Sequence, residues 1–257
     1  MALLTDGNPN ATTDLQVYES AILDVAATEM IDLGGKLGLA TEEISEDVLD
    51  ILIDHAPSTD PQAATRRMIG VSDVVVSPQM KRWHALHTLE IVYRDAFNNQ
   101  LNDRYQAKMT EYQRLSKDAR DHTMKLGIGL VTIPIPEAAT PALTTAASPG
   151  APDTTYYVAV SWVASAGAEG EPSEVTTFET PAETTLAVQA VNPPAVATGF
   201  NVYLGLSSTT LTLQNGSPIA VGQSFIVPAS GLIAGAAPGN GQSPDTYVVG
   251  GPTLRRG

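Results

Sequence analysis

Pro134-Ile135-Pro136-Glu137-Ala138-Ala139-Thr140-Pro141-Ala142-Leu143-Thr144-Thr145-Ala146-Ala147-Ser148-Pro149-Gly150-Ala151-Pro152 divides the chain into two unlike halves. Its prolines interrupt any helix, and its small side chains bury little area, so residues 138–153 read as a semi-extended linker. Before it, apolar residues recur at helical spacing; from Thr154 onward they alternate. The expected fold class is therefore α+β and multidomain: a helical domain over 1–137 ending in an extended arm, then a β-sandwich over 154–254.

Charge follows the same division. Residues 1–65 hold thirteen acids and one base, Lys36, whereas residues 66–125 hold eleven bases and seven acids. Between residues 126 and 254 there are eight acids and no Lys or Arg. The whole chain of 257 residues has a formal net charge of −14, which disfavours a general nucleic-acid binder or a partner at an anionic membrane. With no cysteine, disulfides and thiolate metal sites are excluded. The first residues lack the basic and apolar regions of a signal peptide, and no stretch approaches the roughly 20 apolar residues of a membrane span.

In the front half, Asp14 caps a helix from Leu15 that Gly34-Gly35 should stop, and Thr41 caps the next. Asp60-Pro61 opens a short helix to about Met68, and Val71–Val76 reads as a strand or extended loop. Ser77-Pro78 then starts a segment without Gly or Pro that runs to Lys125, about 70 Å if it is one helix. Trp83, Leu86, Tyr93, Phe97, Leu101, Tyr105, Met109 and Tyr112 form a slowly drifting apolar stripe along it. A rod of that length outruns the cover of three short helices, so part of it is expected to pack on copies of itself or on another protein. Trp83, Tyr93, Arg94, Asn98, Leu101, Arg104, Tyr105 and Tyr112 are the candidate interface. The stretch Tyr93–Tyr105, with its three Asn and two Asp, is poor in helix propensity. It reads either as a solvated face or as a subunit contact.

In the back half, Tyr156–Val163, Ser173–Glu179, Thr185–Val191, Phe200–Leu204, Leu211–Leu213, Ile219–Val221 and Phe225–Val227 read as strands with turn residues between them. Six or seven short strands at this spacing suit a sandwich, with Trp162 in its core.

No P-loop, HExxH, EF-hand loop or dinucleotide fingerprint occurs. Gly34-Gly35-x-x-Gly38 is a helix stop rather than a phosphate cradle. His84, His87 and Glu90 fan over one side of a helix and read as solvated or interface residues, with a metal as the lesser alternative. Asp47, Asp50 and Asp54 share a helix face and read as an exposed acidic surface. No catalytic residues, metal ligands or cofactors are expected, and the chain is not read as an enzyme.

Tyr157-Val158-Ala159-Val160 followed by Gly167-Ala168-Glu169-Gly170-Glu171-Pro172-Ser173-Glu174-Val175 resembles the last hairpin of a fibronectin type III domain. Ala197-Thr198-Gly199-Phe200-Asn201-Val202-Tyr203 is similar to that family's strand before the sheet crossover, so the two pieces stand in reversed order and imply a permuted topology. The front half, on Asp14–Glu19 with Ala21-Ile22-Leu23, Tyr93–Tyr105 and Gly127-Ile128-Gly129-Leu130-Val131, resembles the head-to-tail connector (adaptor) proteins of tailed bacteriophages. That resemblance implies a virion neck protein assembled in the host cytoplasm. It also implies a homo-oligomeric ring, typically of twelve subunits, bound to the portal protein and to a tail or next neck protein. Genome DNA would pass through it without sequence-specific binding, helped by the acids of residues 1–65, while the bases of 66–125 would meet an acidic neighbouring subunit. The alternative is a tail or adsorption protein whose sandwich binds a host-surface glycan.

Overall fold

The computed structural model describes residues 1–54, 69–100 and 104–249. The helix expected over Asp60–Met68 and the candidate Leu101 lie outside them. The chain is α+β, and its described residues form five α-helices in the first half and antiparallel sheets in the second. It divides into two compact units, and the chain crosses between them more than once: Met1–Asp6 with Ile133–Ser243 forms one, Gly7–Thr132 with the tail from Pro244 the other.

In the helical unit, α1 (Thr12–Tyr18) and α2 (Ile22–Glu29) are short, and α2 ends on Met30 in the left-handed region. Helix α3 runs from Leu33 to Asp54. Gly34-Gly35 thus sits in the first turn of α3 and starts a helix instead of stopping one. Asp32 is the reason: its carboxylate accepts from the Gly34 N–H at 3.0 Å, and its carbonyl accepts from Lys36. A β-carbon on Gly35 would come within 2.9 Å of that carboxylate. Thr41 caps nothing; it lies inside α3, where its hydroxyl donates back to the Leu37 carbonyl at 3.0 Å.

Helix α4 (Pro78–Gln100) starts as its sequence suggests, with Ser77 Oγ accepting from the Met80 N–H at 3.2 Å and Pro78 in the first turn. It does not continue to Lys125. A separate helix, α5, covers Gln106–Leu126 and stops at Gly127, whose φ of +98° suits glycine. Helices α4 and α5 lie antiparallel, since Tyr93 meets Tyr112 and His87 meets Ser116 further along. The expected rod of about 70 Å is a hairpin of two arms, each about half that length.

The extended arm is also paired. Strand β1 (Ile128–Leu130) is buried and runs antiparallel to β10 (Thr246–Val248). On its other side the Val75 N–H donates to the Gly129 carbonyl. Val71–Asp73 is a 3-10 turn, and Val74 bridges Leu130.

In the β unit, β2 (Ala142–Ala147), β5 (Thr184–Gln189) and β9 (Phe225–Ile226) form one sheet in the order β2-β5-β9. The other has the order β4-β3-β6-β7, with β8 also paired to β6. Its strands are β3 (Thr154–Ala164), β4 (Thr176–Thr180), β6 (Ala197–Gly205), β7 (Thr212–Leu213) and β8 (Ile219–Ala220). Residues 138–153 are therefore not a linker. Six consecutive pairs, from Ala142↔Gln189 to Ala147↔Thr184, hold β2 against β5.

Val158, Val160 and Trp162 of β3, Phe200, Val202 and Leu204 of β6, and Leu186 and Val188 of β5 share one core. Both sheets thus close on the same interior, and Trp162 stands edge-on to Phe200 with ring centres 6.2 Å apart. Polar staples tie the second sheet: Asn215 Oδ1 accepts from the Val202 N–H at 2.7 Å, inside the Asn215-Gly216-Ser217 turn. Replacing Trp162 with Ala leaves a cavity among residues of both sheets and should cost about 3–5 kcal/mol. Urea denaturation of the full chain, followed by the loss of β-structure in far-ultraviolet circular dichroism, measures that loss.

Candidate functional site

The eight candidate interface residues meet different fates. Trp83, Tyr93, Tyr105 and Tyr112 are buried inside the helical unit, at 2–4% exposure, so none of them presents a ring to a partner. Tyr93 stacks on Tyr112 with ring centres 5.3 Å apart and planes 10° from parallel, and Tyr105 tilts against Tyr93 at 6.1 Å. Their hydroxyls are engaged by acids of the short helices. Tyr105 donates to Glu29 at 2.9 Å, and Tyr112 donates to Glu19 at 3.0 Å. Burial, then the Glu19 charge and hydrogen bond, drive the Tyr93 pKa up; Tyr112 rises for the same reasons. The expectation that this stripe needs a second molecule is overturned, because the helix folds back and the stripe covers itself. Of the set, Arg94, Asn98 and Arg104 are exposed, and Arg104 lies over the Tyr105 ring.

Several bases of residues 66–125 find acids in their own chain. Lys108 reaches Glu19 at 2.8 Å, Arg120 grips Asp47 through two hydrogen bonds of 2.7 and 2.9 Å, and Arg114 and Lys117 meet Asp118 and Asp121 four residues on. In the other direction Lys36, from the acidic opening, pairs with Asp95.

The two histidines three residues apart face different walls. His84 is fully buried, not solvated. Asn10 Nδ2 donates to its Nδ1 at 2.9 Å, and its Nε2–H faces the Leu37 carbonyl at 3.1 Å and Thr41 Oγ1 at 3.0 Å. A neutral imidazole satisfies every one of these contacts, and burial together with the His87 charge lowers its pKa to about 4. Its role is to pin the loop before α1 and helix α3 onto α4.

His87 opens on a cleft of about 750 Å³ between α3, α4 and α5. Glu43, Glu46, Asp47 and Asp50 line its α3 side, Arg114, Lys117 and Arg120 its α5 side, and Trp83 and Glu90 its floor. The imidazole donates from Nε2 to Glu43 at 2.6 Å and from Nδ1 toward Glu90 at 3.2 Å, with Ser116 Oγ also 3.2 Å away. Burial pushes the His87 pKa down, but the hydrogen bonds and charges of Glu90 and Glu43 outweigh it and hold it above the ordinary value. For Glu90, burial acts upward and is overcome by His87 and Ser116, so its pKa is lowered.

Serine, histidine and glutamate side by side invite comparison with a nucleophilic triad, and the geometry argues otherwise. The ring nitrogen facing Ser116 also faces Glu90, so its proton is committed. Ser116 sits within α5, where backbone N–H groups are consumed by the helix and none is left to hold an oxyanion. What the arrangement does is make the His87 imidazole a bridge between α3 and α4. Among the described residues no group of three or more His, Asp or Glu is placed to bind a metal ion. Asp47 of the acidic trio is engaged by Arg120.

The β unit has its own acidic cluster. Asp6, Glu137 and Glu174 line a hollow of about 390 Å³. Burial, reinforced by the charges of Asp6, Glu171 and Glu174, raises the Glu137 pKa to about 7, and burial raises Asp6 as well.

Comparisons with models of known protein families, with curated proteins and with solved structures return no match. No helix among the described residues is long and apolar enough to cross a membrane.

Two pH effects follow. A raised His87 pKa means its bridge is fully present below pH 6.5 and is lost as pH rises through the folded-state value. The melting temperature of the wild type minus that of His87→Gln should therefore shrink with rising pH across that window; an unchanging difference would contradict the bridge. Glu137 behaves oppositely to a salt-bridged acid. Its folded pKa lies above the ordinary 4.5, so it costs stability as pH rises from there through about 7. Glu137→Gln should be neutral at low pH and stabilising above pH 7 in thermal melts.

Proposed function

We propose that the chain is a structural virion protein, a head-to-tail connector of a tailed bacteriophage whose helical unit builds the ring and whose β unit is an outward decoration. The observation that carries an assembly role is an apolar patch at the foot of the helical hairpin. Leu126, Tyr247 and Val249 are 48%, 59% and 47% exposed. Val249 and Tyr247 lie against Gly127, the residue after Leu126: a β-carbon there would be 3.1 Å from Val249 and 3.3 Å from Tyr247. Tyr247 belongs to β10, which Val249 follows, and the outer edge of β10 has no strand beside it among the described residues. Apolar surface on an open strand edge is what a protein presents to a partner.

The connector class rests on the resemblance of the front half, and two features are in keeping with it. Glu42, Glu46 and Asp50 are exposed acids of α3, the last two on the wall of the His87 cleft, and exposed acids repel phosphate, as suits a wall past which DNA slides. The sheet memberships also suit a permuted fibronectin type III or immunoglobulin-like sandwich. The early hairpin β3–β4 takes the place of that family's last hairpin and lies beside β6, while β5 is central in the opposite sheet. Such modules are common as appendages of virion proteins.

Negative-stain images of the purified chain, alone and mixed with its portal protein, should show rings in at least one of the two. Tyr247→Asp, on an exposed side chain, should reduce ring formation at least tenfold without lowering the melting temperature. Monomers under both conditions would overturn the reading.

A further inference from the structure

The β unit has one edge unlike the rest. Strand β2, Ala142-Leu143-Thr144-Thr145-Ala146-Ala147, pairs with β5 along all six residues and has no strand on its other side among the described residues. Natural sheets blunt such an edge with lysine, proline, a bulge or a very short strand. Strand β2 has none of these within it, and its register is unbroken. The other edge strands of the unit are protected: β7 and β9 are two residues long, and β4 carries Glu179.

The hydrogen-bonding direction along β2 follows from its end. The Ser148 N–H donates to the Glu183 carbonyl at 2.9 Å, which extends the β2–β5 ladder by one pair. In an antiparallel ladder alternate residues turn their N–H and C=O toward the partner strand. Ala142, Thr144 and Ala146 therefore bond β5, and Leu143, Thr145 and Ala147 direct theirs outward. Those three outward residues are symmetric about Thr145.

We infer that β2 is a self-pairing edge: two copies of this chain join antiparallel through it, with Thr145 of one opposite Thr145 of the other. In this register Leu143 of each copy lies opposite Ala147 of the other. Every outward N–H then has a carbonyl to meet, and the two three-stranded sheets become one of six. Because an antiparallel pair of identical strands is related by a two-fold axis, the contact is closed and stops at two. Thr145 supplies the cross-strand threonine pair that such ladders favour.

Charge selects the same seam. The β unit contains acids and no Lys or Arg, so two copies repel wherever their acids approach. Strand β2 has no ionisable side chain, and it offers six uncharged residues along which two like-charged units come together. The area involved is well under the roughly 800 Å² per partner of a stable interface. Pairing is therefore weak in dilute solution and becomes populated where copies are held at high local concentration.

Thr145→Pro tests this without disturbing the fold, because the N–H it removes points away from β5. The full chain, which lacks cysteine, is labelled with a single nitroxide on Thr144→Cys. The same labelled chain carrying Thr145→Pro serves as the comparison. Near-millimolar wild-type protein should show strong dipolar coupling between labels of two copies, as for diagonal neighbours about 7–8 Å apart. The proline variant should lose that coupling while keeping the wild-type circular dichroism and melting temperature. Absence of coupling in the wild type, or its persistence in the proline variant, would overturn the inference. Rings formed by the proline variant would leave the connector reading standing while the pairing is judged on the labels alone.

Discussion

The stacking of Tyr93 on Tyr112 is the contact that the rest of the helical unit depends on. Two aromatic rings 5.3 Å apart hold α4 against α5 in the part of the hairpin nearer its turn, where both rings are buried. Once the hairpin is closed, its buried hydroxyls need acceptors, and Glu19 and Glu29 supply them from the short helices. Those helices are thus held by polar bonds into an aromatic core as well as by their own apolar residues. The arrangement explains why the first helices are acidic on their inner side, where Glu29 is 5% exposed.

Charge organisation repeats that logic at the surface. The acid-rich opening and base-rich middle of the chain meet within one molecule at several points. Bidentate Arg120–Asp47 ties α5 to α3, Lys108–Glu19 ties α5 to the end of α1, and the His87 bridge ties α4 to α3. Such half-exposed pairs contribute modestly one by one. Their larger effect is on register, since each fixes which turn of one helix faces which turn of the next.

The division into helices and strands is legible in the sequence because periods of 3.6 and 2 are strong over ten residues or more. A helix start with a side-chain cap, such as Ser77-Pro78, and the stop at Gly127 are legible for the same local reason. The α4–α5 hairpin is not. A four-residue stripe is equally satisfied by a rod covered by a partner and by a rod folded so that the stripe covers itself. The low helix propensity of Asn98 and Asn99, just before α4 ends at Gln100, is the local sign of interruption. Strand β2 escapes a reading of the sequence because Ala and Thr carry little apolar area, and its strand form is imposed by β5 and not by its own composition. The His84–His87 pair shows the limit for sites. Spacing places both on one side of a helix, but only tertiary packing gives one Asn10 and the other Glu43.

The order in which the chain visits its two units has a practical result. Strand β10 returns from beyond the β unit to complete the ribbon on β1, and Met1–Asp6 belongs with residues far downstream of the helices. A fragment ending at the compositional boundary would leave the buried β1 with one side bare, and one beginning there would lack the Met1–Asp6 strap. Excising either half cleanly requires rejoining distant termini, much as in a domain inserted into a host.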